Sequence, residues 1–391
     1  MKLSTRVQSV LPSATLAMTA RAQALKAQGL DIVTMSAGEP DFDTPDFIKD
    51  AARAAIARGE TKYTPVAGTK ALRAAIATYA EKLYGQPYQP NQTIVSTGGK
   101  QVLFNAIAAL IDPGDEALFA SPYWVSYPDM IRFAGGVPVA VAATEAEGFL
   151  PLAPAWAHHI TAKTRLLILN SPSNPTGATY DRPQLEAIAE VLRAHPQVTI
   201  ISDDIYSGLV YDAPFVGLAA VAPDLADRIL IATGVSKTYA MTGWRIGFGI
   251  GPARLIAAMN DLQGASTSGA SSIAQAAAAG ALTGDQAPME AMRQVFKTRR
   301  DRIVAGLGGI DRLELFVPRG AFYVFPRVTP FFNERIKTSD ALCEHLLEKV
   351  QLALVPGSAF GSDAHVRLSF ACSDQQIDTA VQRLAQGLQS L

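Results

Sequence analysis

A primary amine at Lys237 lies in the run Gly234-Val-Ser-Lys-Thr-Tyr-Ala-Met-Thr-Gly-Trp-Arg245-Ile-Gly247. An amine at a strand end, in a loop of Gly, Ser and Thr, can condense with an aldehyde once burial or nearby cations lower its pKa. Eight residues on, Arg245 brings a planar fork of donors suited to a phosphate. A loop lysine is otherwise a solvated cation, so its company decides its meaning. Ser202-Asp203-Asp204-Ile205-Tyr206 follows a β-rich run over 198–201. A carboxylate there can pair with a protonated ring nitrogen and keep that ring a good electron sink. Tyr206 could donate to a phenolate oxygen of the same ring. A helix-capping Asp followed by a core Tyr reads equally well from these residues alone.

Two further segments carry anion-binding or polar groups. Thr97-Gly98-Gly99-Lys100-Gln101 joins a strand to a helix. Its glycines let backbone N–H groups approach an anion at a helix N-terminus, although an ordinary turn has the same look. Ser171-Pro-Ser-Asn174-Pro175-Thr176-Gly177 ends another strand abruptly, and Asn174 is its polar side chain best placed to face a crevice. Asn-Pro-Thr-Gly can also be only a turn.

In this order the four segments resemble the fold-type I pyridoxal-phosphate enzymes, specifically the class I aminotransferases and most nearly the bacterial aspartate aminotransferases. The likeness runs from Pro12-Ser13-Ala14-Thr15 to Val366-Arg367-Leu-Ser-Phe. It implies an α/β fold, with a large domain (46–289) built on a mostly parallel seven-stranded sheet. A smaller α+β domain would comprise 1–45 and 290–391. It implies pyridoxal 5'-phosphate as cofactor, with Lys237 as the Schiff-base lysine and proton carrier. Asp203 would pair with the pyridinium nitrogen, and Tyr206 and Asn174 would bond the ring oxygen. Gly98, Gly99, Ser236 and Arg245 would surround the phosphate, with Tyr63 of Lys62-Tyr-Thr-Pro reaching in from the partner subunit of a homodimer. Trp124 would stack on the ring, and Gly38 and Arg367 would hold the substrate α-carboxylate. Lys100 has two readings, the distal carboxylate of aspartate or glutamate, or the cofactor phosphate. Related members often have Lys where this chain has Leu11, and that lysine accompanies prephenate use, so prephenate is not expected here.

The resemblance thus implies a ping-pong transfer of an amino group between an amino acid, aspartate first, and a 2-oxo acid such as 2-oxoglutarate. An aminotransferase of broader or aromatic specificity and a carbon–sulfur lyase on the same fold are the alternatives. A nicotinamide enzyme is disfavoured, because Gly247-Phe-Gly249-Ile-Gly251 lacks the GxGxxG spacing and opens no helix.

These segments need strands and helices to position them. Apolar β-rich runs at 93–97, 117–120, 165–169, 199–202, 229–233 and 246–250 alternate with helical patterns at 101–110 and 184–194, which points to a largely parallel sheet. Beyond residue 289 the pattern changes. A long charged helix over 289–307 carries Arg299, Arg300, Asp301 and Arg302, expected to be a solvated face. Apolar runs at 321–325, 352–355 and 366–371 and a closing amphipathic helix follow, and the segment through Gly38–Pro40 is expected to pack on them.

Bulk properties agree. The chain has 391 residues, 49% hydrophobic and 18% charged, which suits about two domains with ample core. A net charge of -1 offers no basic face for nucleic acid. Two distant cysteines and five histidines without ligand spacing speak against disulfides or a metal and for a reducing cytoplasm. The pair His158–His159 is expected at a solvated helix end. No continuous apolar run of membrane-spanning length stands out.

Overall fold

The computed structural model describes residues 1–10 and 14–391, and only the backbone of 14–16. Leu11, Pro12 and Ser13, and the side chains of Ala14 and Thr15, lie outside the described residues. The described strands are β1 (Val33–Thr34), β2 (Thr93–Ser96), β3 (Glu116–Ser121), β4 (Val137–Ala142), β5 (Thr164–Asn170) and β6 (Thr199–Asp203). They continue as β7 (Ile229–Gly234), β8 (Gly247–Ile250), β9 (Tyr323–Val324), β10 (Leu352–Ala353), β11 (Val355–Pro356) and β12 (Val366–Ser369).

Seven of them form the central sheet in the order β2-β8-β7-β6-β5-β3-β4. Only β8 runs antiparallel to its neighbours. Helices cover both faces, so β6 and β7 read as continuous apolar runs and are buried almost throughout. The edge strand β4, Val137-Pro-Val-Ala-Val-Ala142, escaped the sequence reading; Pro138 interrupts its apolar run, and a proline in a strand is tolerated at an exposed sheet edge such as this. Parallel order brings the C-terminal ends of β5, β6 and β7 to one edge. Asn170, Asp203 and Ala232 therefore lie side by side, with β7 running on two residues to Gly234, where a crevice opens in sheets of this kind.

Gly247 is required by close approach. A Cβ there would collide with the backbone of Gly98 and Gly99, so β8 can lie against the turn that opens helix Gly99–Leu110 only with a glycine. This explains the glycine that suggested a nucleotide motif.

A second core gathers Met35, Phe296, Ile303, Phe322, Leu346, Leu368 and Ile377. Around it stand the antiparallel sheet β11-β12-β9 and helices Ala287–Gly308, Ser339–Val350 and Asp374–Gln389. The N-terminal segment joins here, with β1 pairing in parallel with β10.

The charged run in Ala287–Gly308 is not a solvated face. Arg299 and Arg300 are buried. Arg300 donates to both carboxylate oxygens of Asp212, at 2.7 and 2.9 Å, and to the Pro318 carbonyl at 2.7 Å. A guanidinium can be buried when its planar fork is matched, and charge periodicity does not reveal that match. Arg302 does face water, bonded to Asp378. His158 and His159 close helix Ala153–His159 near the surface. Among the described residues no helix is long and apolar enough to cross a membrane.

Candidate active site

A cavity of about 610 Å³ opens at the strand ends, and residues from both cores line it. Of the expected site residues, Gly38, Gly99, Lys100, Trp124, Asn174, Asp203, Tyr206, Ser236, Lys237, Arg245 and Arg367 are on its wall. Gly98 stands just behind, at φ +82°, where a Cβ would run into the Arg245 guanidinium. Tyr63 is apart from the cavity, its side chain fully in water at 100% exposure.

Lys237 follows β7 by three residues and points its Nζ back across the cavity to the Gly38 carbonyl, at 2.5 Å. Burial pushes its pKa down to about 8. Glu39 opposes that shift, and the Arg367 and Arg245 cations reinforce it. At pH 7 roughly a tenth of such an amine is neutral, hundreds of times the fraction of a free lysine, and that fraction is nucleophilic and basic. In the cofactor-free protein, single-hit acylation of Lys237 read by mass spectrometry should therefore follow a titration centred near 8. A curve centred at the value of a free lysine would show that the side chain is solvated.

Asp203 ends β6 and is buried. The Tyr127 hydroxyl donates to its Oδ2 at 2.6 Å, and the Ile205 N–H approaches Oδ1 at 3.4 Å. Burial raises its pKa to about 6 against those two bonds. A buried carboxylate facing a cavity, short of cationic partners, favours a cationic or proton-bearing group beside it. Its neighbour Asp204 points to the other side, accepting from Tyr84 and Ser202 at 2.7 Å each. Strand alternation thus assigns the cavity to Asp203 alone.

Arg367, on β12, is buried and has no acidic partner among the described residues. Its Nη1 donates to Asn174 Oδ1 at 3.0 Å and its Nη2 to the Ser36 carbonyl at 2.9 Å, while Nε has no hydrogen-bond partner among the described residues. The Tyr323 and Phe360 rings flank it at 4.5 and 4.9 Å. A buried, unneutralised guanidinium on a cavity wall is a seat for a carboxylate. Asn174 and Arg367 are thus bonded to each other, and Tyr206 shares its hydroxyl with that of Tyr323 at 2.9 Å.

Lys100 lies 4.9 Å over the Trp124 ring. Lost hydration lowers its pKa, as does Arg245, with Asp129 opposing. Next to Lys100, Gly98, Gly99 and Arg245 form a cationic cradle around the N-terminus of helix Gly99–Leu110, the place for a phosphate.

Sequence reasoning missed Tyr127, Tyr323, Asn170 and Ser36. Asn170 lies one residue before Ser171-Pro-Ser-Asn174, donating to the Asp203 carbonyl at 3.0 Å and accepting from the Asn174 N–H at 3.0 Å. Tyr127 is three residues beyond Trp124, one helical turn, and that spacing could have suggested it. Tyr323 and Ser36 gave no local signal.

Comparisons with known proteins agree along the whole chain. The model of the family described as aminotransferase class I and II matches residues 31–384. The chain is 47% identical over 389 residues to a probable aspartate/prephenate aminotransferase of Rhizobium leguminosarum bv. phaseoli, covering 98% of this chain and 97% of that protein. The crystal structure of the aspartate aminotransferase from Rhizobium meliloti superposes with a TM-score of 0.95 at 44% identity, over 100% of this chain and 99% of that one. The aspartate aminotransferase of Thermus thermophilus with maleate gives 0.95 at 43% identity, over 99% and 100%.

Proposed function

The chain belongs to the class I and II aminotransferases, and from that premise we propose that it moves the amino group of aspartate to 2-oxoglutarate in active sites shared between two copies of itself. It is a pyridoxal-phosphate-dependent enzyme, and aspartate is a substrate. The observation that carries the finer reading is the unpaired, buried Arg367 across the cavity from Lys237 and Asp203. Following the absorbance of the purified, cofactor-loaded protein on adding aspartate, then 2-oxoglutarate, tests it. A spectrum that changes with the first and returns with the second is expected, and release of ammonia instead would make it a lyase.

The residues fit the cofactor. Gly98, Gly99, Ser236 and Arg245 would hold its phosphate, and Asp203 its ring nitrogen. Asn174 and Tyr206 would hold the ring oxygen, with Trp124 against the ring face. When bound, pyridoxal 5'-phosphate supplies an aldehyde that condenses with amines and a ring that accepts the electron pair left at Cα. Arg367, with Gly38, fixes the α-carboxylate of the amino acid and so aims its Cα–H. Lys237 Nζ, whose lowered pKa makes the neutral amine accessible near neutral pH, would take that proton and later return it. Tyr127 and the Ile205 N–H fix the Asp203 carboxylate, which would meet the ring nitrogen. Tyr323 holds the Tyr206 hydroxyl in place. In this reading residues 46–289 carry the cofactor, and 1–45 with 290–391 bring Gly38 and Arg367 to it. Two free, buried cysteines support the cytoplasm as its compartment.

Lys100 decides substrate choice. If it holds the distal carboxylate, Lys100→Ala should lower kcat/KM for aspartate by about 1.5–3 kcal/mol, the range for a charged hydrogen bond. Phenylalanine, lacking that group, should barely change. Equal losses for both, with weaker cofactor binding, would reassign Lys100 to the phosphate. Several relatives are named for prephenate as well as aspartate, and the same assay with prephenate as acceptor tests whether Leu11 excludes it.

Tyr63 supports the dimer, because a fully exposed tyrosine in one chain is free to reach a neighbour's phosphate cradle. Mixing Tyr63→Phe with Lys237→Ala should create hybrids with one native site, so activity should rise above the mean of the separate pools. No gain on mixing, or an active monomer in sedimentation, would refute shared sites.

A further inference from the structure

Arg299 lies midway along helix Ala287–Gly308 and ties three segments together. Its Nη1 donates to Asp41 Oδ1 at 2.7 Å. The guanidinium sits 5.1 Å from the Phe42 ring centroid and 5.8 Å from that of Phe296, and those rings meet edge to face at 5.2 Å. Its Nε lies 3.6 Å from Asp374, at the start of helix Asp374–Gln389, without a hydrogen bond. None of these groups touches the cavity.

What Arg299 grips is the irregular segment between β1 and helix Asp46–Ala57. Met35 is still bonded through its backbone to Ala353 and Ser369, but no helix or strand holds residues 36–45 in place, so side-chain and carbonyl contacts must. The Ser36 carbonyl accepts from Arg367, the Gly38 carbonyl from Lys237, and Glu39 from the Thr242 hydroxyl at 2.6 Å. At the far end Thr44 donates to the Ala240 carbonyl at 2.6 Å and accepts from Trp244 Nε1 at 2.9 Å. Asp41 and Phe42 stand between these two sets of contacts, and Arg299 holds both residues at once.

We infer that Arg299 is a positioning residue for transamination: by clamping Asp41 and Phe42 it fixes Gly38 and Glu39 over Lys237 and completes the seat for the substrate α-carboxylate. The inference rests on the roles proposed above for Lys237, Gly38 and Arg367. A guanidinium suits the task because one planar group can bond a carboxylate and stack on a ring together, which an ammonium cannot. Loosening the clamp lowers the fraction of molecules whose segment is in place. Apparent affinity falls by that fraction, while molecules that do bind react normally.

The test uses Arg299→Lys, which keeps the charge and loses the fork, and Asp41→Asn, which leaves the helix untouched. In the cofactor-loaded protein each should raise KM for aspartate roughly tenfold with kcat within about threefold, as expected when only the competent fraction changes. In the cofactor-free protein, chymotryptic cleavage after Phe42 should accelerate by about tenfold or more, since cleavage of an opened segment follows its open population, which starts small. The double variant should be no worse than the worse single, because both act through one contact. Unchanged KM and unchanged cleavage in a variant with cooperative unfolding would reduce Arg299 to a structural tie and overturn the inference. If Arg299→Lys does not fold, Asp41→Asn decides alone. The cleavage measurement needs no turnover, so it still reads the clamp if the wild-type protein proves not to transaminate aspartate.

Discussion

Lys237→Ala should reduce transamination of aspartate by roughly 10^4-fold, the upper end of what a positioned acid–base group contributes. The motive is geometric and electrostatic. Lys237 Nζ hangs over the cavity by one bond to the Gly38 carbonyl, and burial has brought its pKa down to about 8. In the cofactor-free protein that amine makes no ion pair among the described residues, its hydrogen bond going to the Gly38 carbonyl, so removing it strips no carboxylate of a direct partner there. Thermal stability should therefore change little, and the visible absorbance that depends on the lysine should disappear. Single-turnover rates with aspartate, beside a melting curve, measure both halves. Turnover near that of the wild type would show that another group moves the Cα proton.

Asp203→Ala should slow Cα deprotonation by roughly 10^3-fold, the scale for removing one preorganised electrostatic partner, while the phosphate cradle still binds cofactor. A cofactor analogue with a permanently charged ring nitrogen should recover part of the rate. Full activity with the ordinary cofactor would remove Asp203 from the mechanism. The same residue makes a stability prediction of opposite direction. Its folded pKa, about 6, is raised above the ordinary 3.8, chiefly by burial. A raised pKa favours the folded state most below pH ~4, and that contribution is lost as pH climbs to about 6. In the cofactor-free protein, Asp203→Asn should thus be the more stable form at pH 7, by about 1–3 kcal/mol. The gain should vanish in acid. Denaturant melts at the two pH values measure it, and equal stability at pH 7 would mean the carboxylate is solvated. The carboxylate is retained at a cost in stability because the reaction needs it.

Much of this was legible because the chemistry sits in contiguous loops. Ser236-Lys237 with Arg245, Asp203 with Tyr206, Gly98-Gly99-Lys100 and Asn174 each occupy one strand end, and the order of a parallel sheet brings strand ends together. The run Arg299 to Arg302 shows where that legibility stops. Periodicity marks a charged stripe on the helix, but whether water or a carboxylate meets it depends on Asp41 and Asp212, which are 258 and 88 residues away along the chain.

From the sequence alone came the strand-end motifs, the alternation of strand and helix, and the class of chemistry, since each is written in residues a few positions apart. Tertiary structure alone decided that Tyr127 and Tyr323 support Asp203 and Tyr206, that Asp204 is turned to Tyr84 and Ser202, and that Arg367 is buried with no carboxylate beside it among the described residues. Burial and partner choice are properties of segments far apart in the chain, and they set pKa values and leave charges unpaired only once packing has excluded water.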